Sequence, residues 1–378
     1  MEVSEVYVIN SALIKIDRHF NKGYKELANE VVSEVISKSG IESIDLVVVS
    51  NMLSDCILDQ LDISTILMQN LGMTKVRTLR VETGESSGLA ALEAAWMAIK
   101  SGAAENVLVI GVEKVTEYPT YKINKVYGKV LDYEVEFIRN ITPPDYAALV
   151  MKAYLKKYGL KREDLIMWPV KMHDNACRNA YAQLSFGITP EKVLTSMVIS
   201  DPIHLLDTFP LGDGAAALLL TSGKAVSNVA AEPVKVVYVD SAVSAQFHLR
   251  EDLTRLPATA VLASRLKEKF GDKVFTEAAI ELHDSYSIYA YIILEELGLA
   301  ERGKAYEIVS ELEFVNVSGG LKARGHPFGA TGVYQVAELH KLVTEGFAGR
   351  KFDGKYAIAH SMSGPDYNAR VALLQKLA

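Results

Sequence analysis

The sequence predicts an α/β protein built from two similar halves, and three observations support this prediction. Short apolar runs of about four to eight residues recur along the chain, as is typical of buried strands. Helical patterns of about 10 to 15 residues separate many of them. One helical segment is repeated later in the chain. At about 150 residues per domain, 378 residues suffice for two or three domains or one large two-part unit.

The predicted elements follow one another in an order that favours largely buried sheets covered by helices. The apolar runs, bounded by turn residues, are Asp45–Ser50, Val76–Val81, Val107–Val112, Ala215–Leu220, Val234–Val239, Ala278–Leu282, Tyr356–His360 and Val371–Leu374. The helical patterns are Leu89–Lys100, Asp145–Tyr158, Ala260–Phe270, Ile288–Leu297 and Val333–Val343.

The repeat pairs SGLAALEAAWMAIKSG with TGVYQVAELHKLVTEG. Gly88 aligns with Gly332 and Gly102 with Gly346, and each segment is followed by a predicted strand. Two halves of this kind predict a pseudo-twofold axis with an active site between them. We therefore expect one half from residues 1–115 and 201–225, an inserted loop domain from 116–200, and a second half from 226–378.

Composition excludes several classes of protein. The net charge of −7 excludes a globally basic surface for nucleic acid. The two cysteines, Cys56 and Cys177, are too few and too far apart in sequence for a disulfide framework or a cysteine zinc site. Because no apolar run approaches about 18 residues and no secretory signal is visible, we expect a cytoplasmic protein. The absence of HExxH, P-loop and GxGxxG motifs predicts no metal and no dinucleotide.

Residues 84–88, GESSG, match the G-x-S-x-G pattern of a hydrolase nucleophile elbow between a strand and a helix. One alternative is therefore a serine esterase, with Ser86 as nucleophile and His326 or His360 as base. No HGG-type oxyanion segment precedes the motif, and the repeat gives its glycines a different role, close packing of two helix N-termini.

Three further segments carry candidate chemistry. Residues 316–332, NVSGGLKARGHPFGATG, combine five glycines with His326 in a loop that leads into a helix. Backbone N–H groups freed by glycine at a positive helix end suit an oxyanion or an acyl carbonyl. The sequence HDSY at 283–286 follows a predicted strand, where sites of α/β proteins assemble. In HSMSGPDY, residues 360–367, Ser361 and Tyr367 are predicted to reach inward.

These segments resemble the thiolase superfamily, especially the archaeal and sterol-carrier-protein-type thiolases. GGLKARGHPFGATG is the most specific match, HDSY resembles the family's HDCF, and SNMLSD, KMHDNACRNAYAQ and DPIHLLDTFPLGDGAAALLLTS recur in family order. The resemblance implies the thiolase fold, five αβαβα layers in two similar halves with an inserted loop domain. It also implies a coenzyme A thioester as substrate, no bound cofactor, and a homodimer or dimer of dimers. The implied partner is a small OB-fold, zinc-ribbon protein or an HMG-CoA-synthase-like protein.

The sequence departs from the family at the nucleophile. The family pattern C-x-S-G places a cysteine where this chain has Glu85, and the second family cysteine maps to about Ser361. The resemblance assigns His283 and His326 to polarising the thioester carbonyl. By similarity to steroid side-chain retro-aldolases, it assigns proton transfer to Tyr286 and Tyr367. The substrate-binding residues that it implies are Asn316, Ser318, Gly319, Gly329 and Gly364.

A carboxylate attacking a thioester would give a mixed anhydride, which is uphill, so ordinary thiolysis is not expected. The resulting prediction is an enzyme that makes or breaks a C–C bond next to a CoA thioester through a stabilised enolate, as a retro-aldolase or decarboxylase does. Glu85 would act as a base if ionised and as a neutral donor if protonated. The alternative is a non-catalytic thiolase-like subunit that binds CoA esters or scaffolds a partner. Acyl chain length and reaction direction stay open.

Overall fold

A computed structural model describes residues 4–226 and 232–377. Its strands are β1 Val6–Leu13, β2 Leu46–Ser50, β3 Arg77–Val81, β4 Asn106–Glu113, β5 Val198–Ser200, β6 Ile203–His204, β7 Gly214–Ser222, β8 Val234–Val243, β9 Ala278–Glu281, β10 Tyr356–Ser363 and β11 Asn368–Lys376. Its α-helices are α1 Tyr24–Ser37, α2 Ile63–Asn70, α3 Ser87–Lys100, α4 Thr120–Tyr127, α5 Pro143–Tyr158, α6 Met167–Ala176, α7 Pro190–Thr195, α8 Pro257–Phe270, α9 Ser287–Leu297 and α10 Thr331–Thr344.

The strands form one nine-stranded sheet in the order β3-β2-β4-β7-β1-β8-β11-β10-β9, with β5 and β6 as a separate hairpin. In the first half β1, β7 and β4 are antiparallel neighbours, and β4, β2 and β3 run parallel. The second half repeats this arrangement, because β8, β11 and β10 are antiparallel and β10 and β9 are parallel. Residues 314–316 lie beside β9 through two 2.8 Å backbone hydrogen bonds to Ile280, where β3 lies in the first half. The predicted pair of similar halves is confirmed.

Helices and sheet halves alternate in five layers. Helices α1 and α2 cover the outer face of the first half, and α8 and α9 cover the second half. Helices α3 and α10 contact strands of both halves and form the middle layer. This position explains why α10 is buried on nearly all sides, as expected for a helix between two sheets. The predicted α/β architecture of five alternating layers is confirmed.

One predicted strand has a different environment from the expected one. Val76–Val81 reads as a buried run, yet β3 is the edge strand and Leu79 is 37% exposed. Arg77 and Arg80 lie on opposite faces of this strand and none of its five residues is buried, which suits an edge strand better than a buried one.

The two repeated helices meet through their glycines. A Cβ atom on Gly88 would lie 2.6 Å from the backbone nitrogen of Gly332, and one on Gly332 would lie 2.5 Å from that of Leu89. Only glycine permits this approach, which brings the N-terminal ends of α3 and α10 together at the centre of the molecule.

The long connection between β4 and β7, residues 114–213, contains α4 to α7 and the β5/β6 hairpin. Its buried side chains, such as Tyr146, Trp168 and Met172, share one apolar core with Tyr291 and Ile292 of α9. The connection therefore leaves the first half and packs on the second. The domain boundaries drawn from the sequence stay predictions. No described helix combines the length and the apolar character needed to cross a bilayer.

Candidate active site

Glu85 lies at the tip of α3, between the two halves, and its side chain is 1% exposed. The residue before it has to be glycine. Gly84 has φ +64°, and a Cβ there would lie 2.0 Å from Ser363 Oγ. This turn directs the Glu85 carboxylate toward the end of β10 and the loop before α10.

Four donors surround that carboxylate. The Tyr127 hydroxyl donates to Oε1 over 2.6 Å, and the Gly364 N–H donates to Oε2 over 2.9 Å. The Nε2 atoms of His326 and His283 lie 3.2 and 3.5 Å from Oε1. The two histidines that the resemblance singled out therefore converge on one oxygen atom of Glu85.

The electrostatics favour a carboxylate beside a neutral imidazole. Burial raises the pKa of Glu85, but hydrogen bonds and charge interactions with His283 and His326 outweigh it and lower the pKa to about 2. Burial lowers the pKa of His326 to about 4, although Glu85 opposes the shift. At neutral pH we therefore assign the His326 proton to Nε2, facing Glu85, while Nδ1 accepts from the Thr331 hydroxyl over 2.6 Å. Of the two forms of Glu85 left open by the sequence, the structure favours the ionised one.

Ser361 lies in the same centre. Its hydroxyl donates to the Glu85 carbonyl oxygen over 3.3 Å and lies 3.5 Å from Nδ1 of His283. The buried residue to which the resemblance mapped the second family cysteine thus carries a hydroxyl, which is a much weaker acid than a thiol.

The two tyrosines that the resemblance assigned to proton transfer do not bond to Glu85. Tyr286 is buried and packs edge-on against Phe209, which in turn packs against the His326 ring. The Tyr367 hydroxyl donates to Glu136 over 2.5 Å and accepts from the Phe247 N–H. In this structure neither hydroxyl can exchange a proton with Glu85 directly.

The tyrosine that does contact Glu85 was missed. Tyr127 ends α4 in the long connection, and its ring packs against Phe209 and Phe328 beside His326. The signal in the sequence was weak: the segment TEYPTYKINKVYGK is rich in tyrosine, but nothing in it selects one residue.

Three of the predicted substrate-binding residues are occupied elsewhere. The Asn316 side chain bonds to both backbone groups of Leu282, at 2.7 and 3.2 Å. Ser318 donates to Glu281 over 2.6 Å. Gly319, with φ +97°, packs directly against Ala176. These residues hold the glycine-rich loop to β9 and to the long connection and do not bond to Glu85, and their role in substrate binding stays a prediction.

The other two predicted glycines differ from each other. Gly329 donates its N–H to the buried Glu113, which also accepts from the backbone of Met52 and Leu53. Gly364 alone among the five reaches the Glu85 carboxylate.

Asp284 of the HDSY segment links the glycine-rich loop to the long connection. Its carboxylate accepts from the Leu321 N–H over 2.7 Å and from the Trp168 indole over 2.9 Å. Gly320, with φ +60°, lies so close that a Cβ there would be 2.3 Å from this carboxylate. This packing fixes the glycine-rich loop that carries His326.

The structure contradicts the serine esterase alternative. The Ser86 hydroxyl donates to the Thr83 carbonyl over 2.8 Å and lies 3.0 Å from the Thr83 hydroxyl. His360 pairs with Thr259, and His326 faces Glu85. Among the described residues Ser86 therefore has no histidine base.

A surface cavity of about 490 Å³ lies next to this centre. Thr83, Gly84, Ser363 and Tyr367 line it, whereas Glu85 lies directly behind Gly84 and does not. The carboxylate is therefore one residue away from a space that opens to solvent. Glu85, His283 and His326 also place three potential metal-ligand atoms within 4.8 Å of one another.

Comparisons with known proteins agree with this architecture. Residues 6–199 match the family model described as "Thiolase, N-terminal domain", and residues 243–376 match "Thiolase C-terminal domain-like". The acetyl-CoA acetyltransferase of Methanothermobacter thermautotrophicus is 33% identical over 390 residues, covering 98% of this chain and 100% of that protein. The acetyl-CoA acetyltransferase of Methanocaldococcus jannaschii is 32% identical over 351 residues and 89% of each chain.

Solved structures show the same fold at lower identity. The "Ltp2-ChsH2(DUF35) aldolase" superposes with a TM-score of 0.82 at 21% identity, over 98% of both chains. Human mitochondrial 3-ketoacyl-CoA thiolase superposes with a TM-score of 0.77 at 15% identity, over 99% of both chains. Family models cover most of the chain, and both archaeal relatives exceed 30% identity. The chain belongs to the thiolase family and is an acyl-CoA acyltransferase-like protein.

Proposed function

We propose that this protein is an enzyme that makes or breaks the C–C bond next to a CoA thioester, through an enolate and without an acylated cysteine. The observation that supports this most is the convergence of two imidazole Nε2 atoms on the single oxygen Oε1 of Glu85. Neither of the two cysteines is among the groups that bond to Glu85.

Convergent donors in a buried site stabilise negative charge on oxygen. In the resting protein that oxygen belongs to Glu85. We propose that the thioester oxygen of the substrate takes the same donors, so that His283 and His326 polarise the carbonyl and hold the enolate. The reaction class is therefore one in which an electron pair moves into the thioester from its α-carbon.

The same exchange of donors would activate Glu85. Its pKa is low because the histidine contacts outweigh burial. When those contacts pass to the substrate, burial dominates and the carboxylate becomes a stronger base. In a retro-aldol reaction it would accept the proton of the β-hydroxyl while the C–C bond breaks to give the new carbonyl compound and the enolate. After the carbonyl compound leaves, Glu85 would return that proton to the α-carbon of the enolate. Tyr127, 2.6 Å from Oε1, is placed to share that proton.

The relatives support this class of substrate. The archaeal acetyl-CoA acetyltransferases point to acyl-CoA, and the aldolase structure supports a C–C lyase. That aldolase pairs Ltp2 with ChsH2(DUF35), so we propose a small partner of the DUF35 type for this chain, together with a homodimer.

One observation favours a second candidate, a non-catalytic CoA-binding or scaffold subunit. Glu85 is 1% exposed, and its four donors leave it fully satisfied without substrate. A site closed in this way would preserve the fold of the family without its reaction.

The deciding experiment measures thiolysis and retro-aldol cleavage of 3-hydroxyacyl-CoA by the full chain, alone and with a DUF35-type partner. We expect retro-aldol turnover and no thiolysis. Glu85→Gln should lower that turnover by about 100-fold or more, since it removes a general base at constant size. The matched control is Glu268→Gln, because Glu268 is exposed in α8 and is not among the groups around Glu85. Acyl-CoA binding without turnover in either assay would favour the subunit.

A further inference from the structure

We propose that Glu85, His283 and His326 form a binding site for a divalent transition metal ion of the zinc class. The three side chains come from the tip of α3, the segment after β9 and the loop before α10. A bound ion would therefore join the two halves at their centre. This inference rests on the geometry of the three groups and not on the proposed reaction.

The distances fit a small ion. Nε2 of His326 and Nε2 of His283 lie 3.2 and 3.5 Å from Oε1 of Glu85. Neighbouring ligand atoms of a tetrahedral zinc ion are about 3.3 Å apart, given bonds of about 2.0 Å. Because all three atoms lie within 4.8 Å of one another, one point exists within about 2.8 Å of each. Small shifts of the side chains would complete the coordination.

The donor set also fits. Two imidazoles and one carboxylate are the ligands of zinc sites that keep a position open for water or substrate. All three side chains are at most 1% exposed, so bulk water competes weakly for an ion held there. The Oε1 atom that both imidazoles face belongs to a carboxylate already oriented by Tyr127 and Gly364.

Each imidazole has a partner for its remote nitrogen, as ligating histidines require. Nδ1 of His326 lies 2.6 Å from the Thr331 hydroxyl, and Nδ1 of His283 lies 3.5 Å from the Ser361 hydroxyl. When Nε2 binds an ion, the ring proton moves to Nδ1 and these hydroxyls can accept it. The same side chains thus satisfy both the metal-free and the metal-bound tautomers. The ion would place a Lewis acid where the two N–H donors now converge.

The test measures metal content of the full chain, without acyl-CoA. Protein is treated with a chelator, dialysed against Zn²⁺, passed through a desalting column and analysed by mass spectrometry of the metal. We expect about one zinc ion per wild-type chain and less than about 0.1 in Glu85→Gln and His326→Ala. Glu268→Gln, on an exposed residue of α8, and the exposed-thiol variant Cys177→Ser are matched controls and should retain about one ion. Wild-type protein with less than about 0.1 ion, or Glu85→Gln with a full complement, would overturn the proposal.

A second measurement does not depend on the folding of any variant. X-ray absorption of the zinc-loaded wild-type chain should show only nitrogen and oxygen ligands with scattering from two imidazoles. Sulfur among the ligands would place the ion at Cys56 or Cys177 and refute the site. Retro-aldol turnover of chelator-treated protein tests the proposed function separately. A bound ion would occupy the Nε2 atoms and the Oε1 atom that the proposed reaction uses, so the two proposals describe alternative states of one centre, and either can fail while the other stands.

Discussion

The two halves join equivalent antiparallel strands by connections of very different length. In the first half, β4 reaches β7 through 100 residues, 114–213, whereas in the second half β10 reaches β11 through residues 364–367. Both connections supply a hydrogen-bond donor to the carboxylate of Glu85. The long one supplies the Tyr127 hydroxyl to Oε1 of Glu85, and the short one supplies the Gly364 N–H to Oε2. Equivalent connections in the two similar halves can therefore donate different groups, a side-chain hydroxyl and a backbone N–H, to the same carboxylate.

The helix tips differ in the same way. The tip of α3 carries an acid, Glu85, and the loop before α10 carries an imidazole, His326, although the helices behind them are equivalent. The similarity of the two halves thus places the Glu85 carboxylate opposite the His326 imidazole. Three substitutions test this difference between the repeated fold of the two halves and the dissimilar residues at their helix tips.

The largest effect is expected from the frame. In Gly332→Ala the new methyl group would lie 2.5 Å from the backbone nitrogen of Leu89, so α3 and α10 must separate. We expect the free energy of unfolding to fall by about 3 kcal/mol, as for overpacked cores. Urea denaturation followed by circular dichroism measures it. Gly187→Ala is the matched control, because its nearest neighbour would be Asp174 Oδ1 at 3.7 Å. Equal stability of the two variants would show that the close approach is not required.

A smaller effect is expected from the long connection. Tyr127→Phe removes one hydrogen bond to Glu85 and keeps the ring packed against Phe209 and Phe328. If Tyr127 shares the proton, kcat for retro-aldol cleavage should fall about tenfold, while the Kd of acyl-CoA changes little. Tyr121→Phe, on the 77% exposed Tyr121 of the same helix, should leave both unchanged. An unaltered kcat in Tyr127→Phe would assign this residue a structural role only.

The smallest effect concerns a difference between the helices themselves. The repeat aligns His340 of α10 with Trp96 of α3, and burial lowers the pKa of His340 to about 4. Its unfolded pKa is about 6.5, so the unfolded chain binds the proton first and stability is lost as the pH falls below 6.5. His340→Gln should therefore gain about 1 kcal/mol relative to wild type between pH 7.5 and 5.5. The measurement is denaturant unfolding at both pH values, and a constant difference would contradict it.

Much of the fold was predictable because it depends on local patterns. Buried runs such as Val107–Val112 and helices such as Leu89–Lys100 repeat at strand and helix periods, and the glycines at 88 and 332 marked the contact between halves. The exposed environment of β3 was not predictable, because periodicity alone does not say which strand lies at the edge of a sheet.

The site was predicted in part for a related reason. Glu85, His283 and His326 lie in short motifs, and the structure brings them together. Tyr127 comes from the long connection, and its packing beside Leu53 and Phe328 has no local sequence signal. For Asn316 the motif gives the position and not the direction of the amide, which bonds to Leu282, so its role in substrate binding stays a prediction.

The glycine contact between α3 and α10 has one more consequence. Main chain rests on main chain at Gly88 and Gly332, so the distance between the helix tips does not depend on the residue that stands at position 85. The backbone contact keeps the two helix tips at a fixed spacing, so different reactive side chains can occupy this position without a change in the surrounding structure. A change at this one position can redirect the chemistry of such a protein while its architecture stays the same.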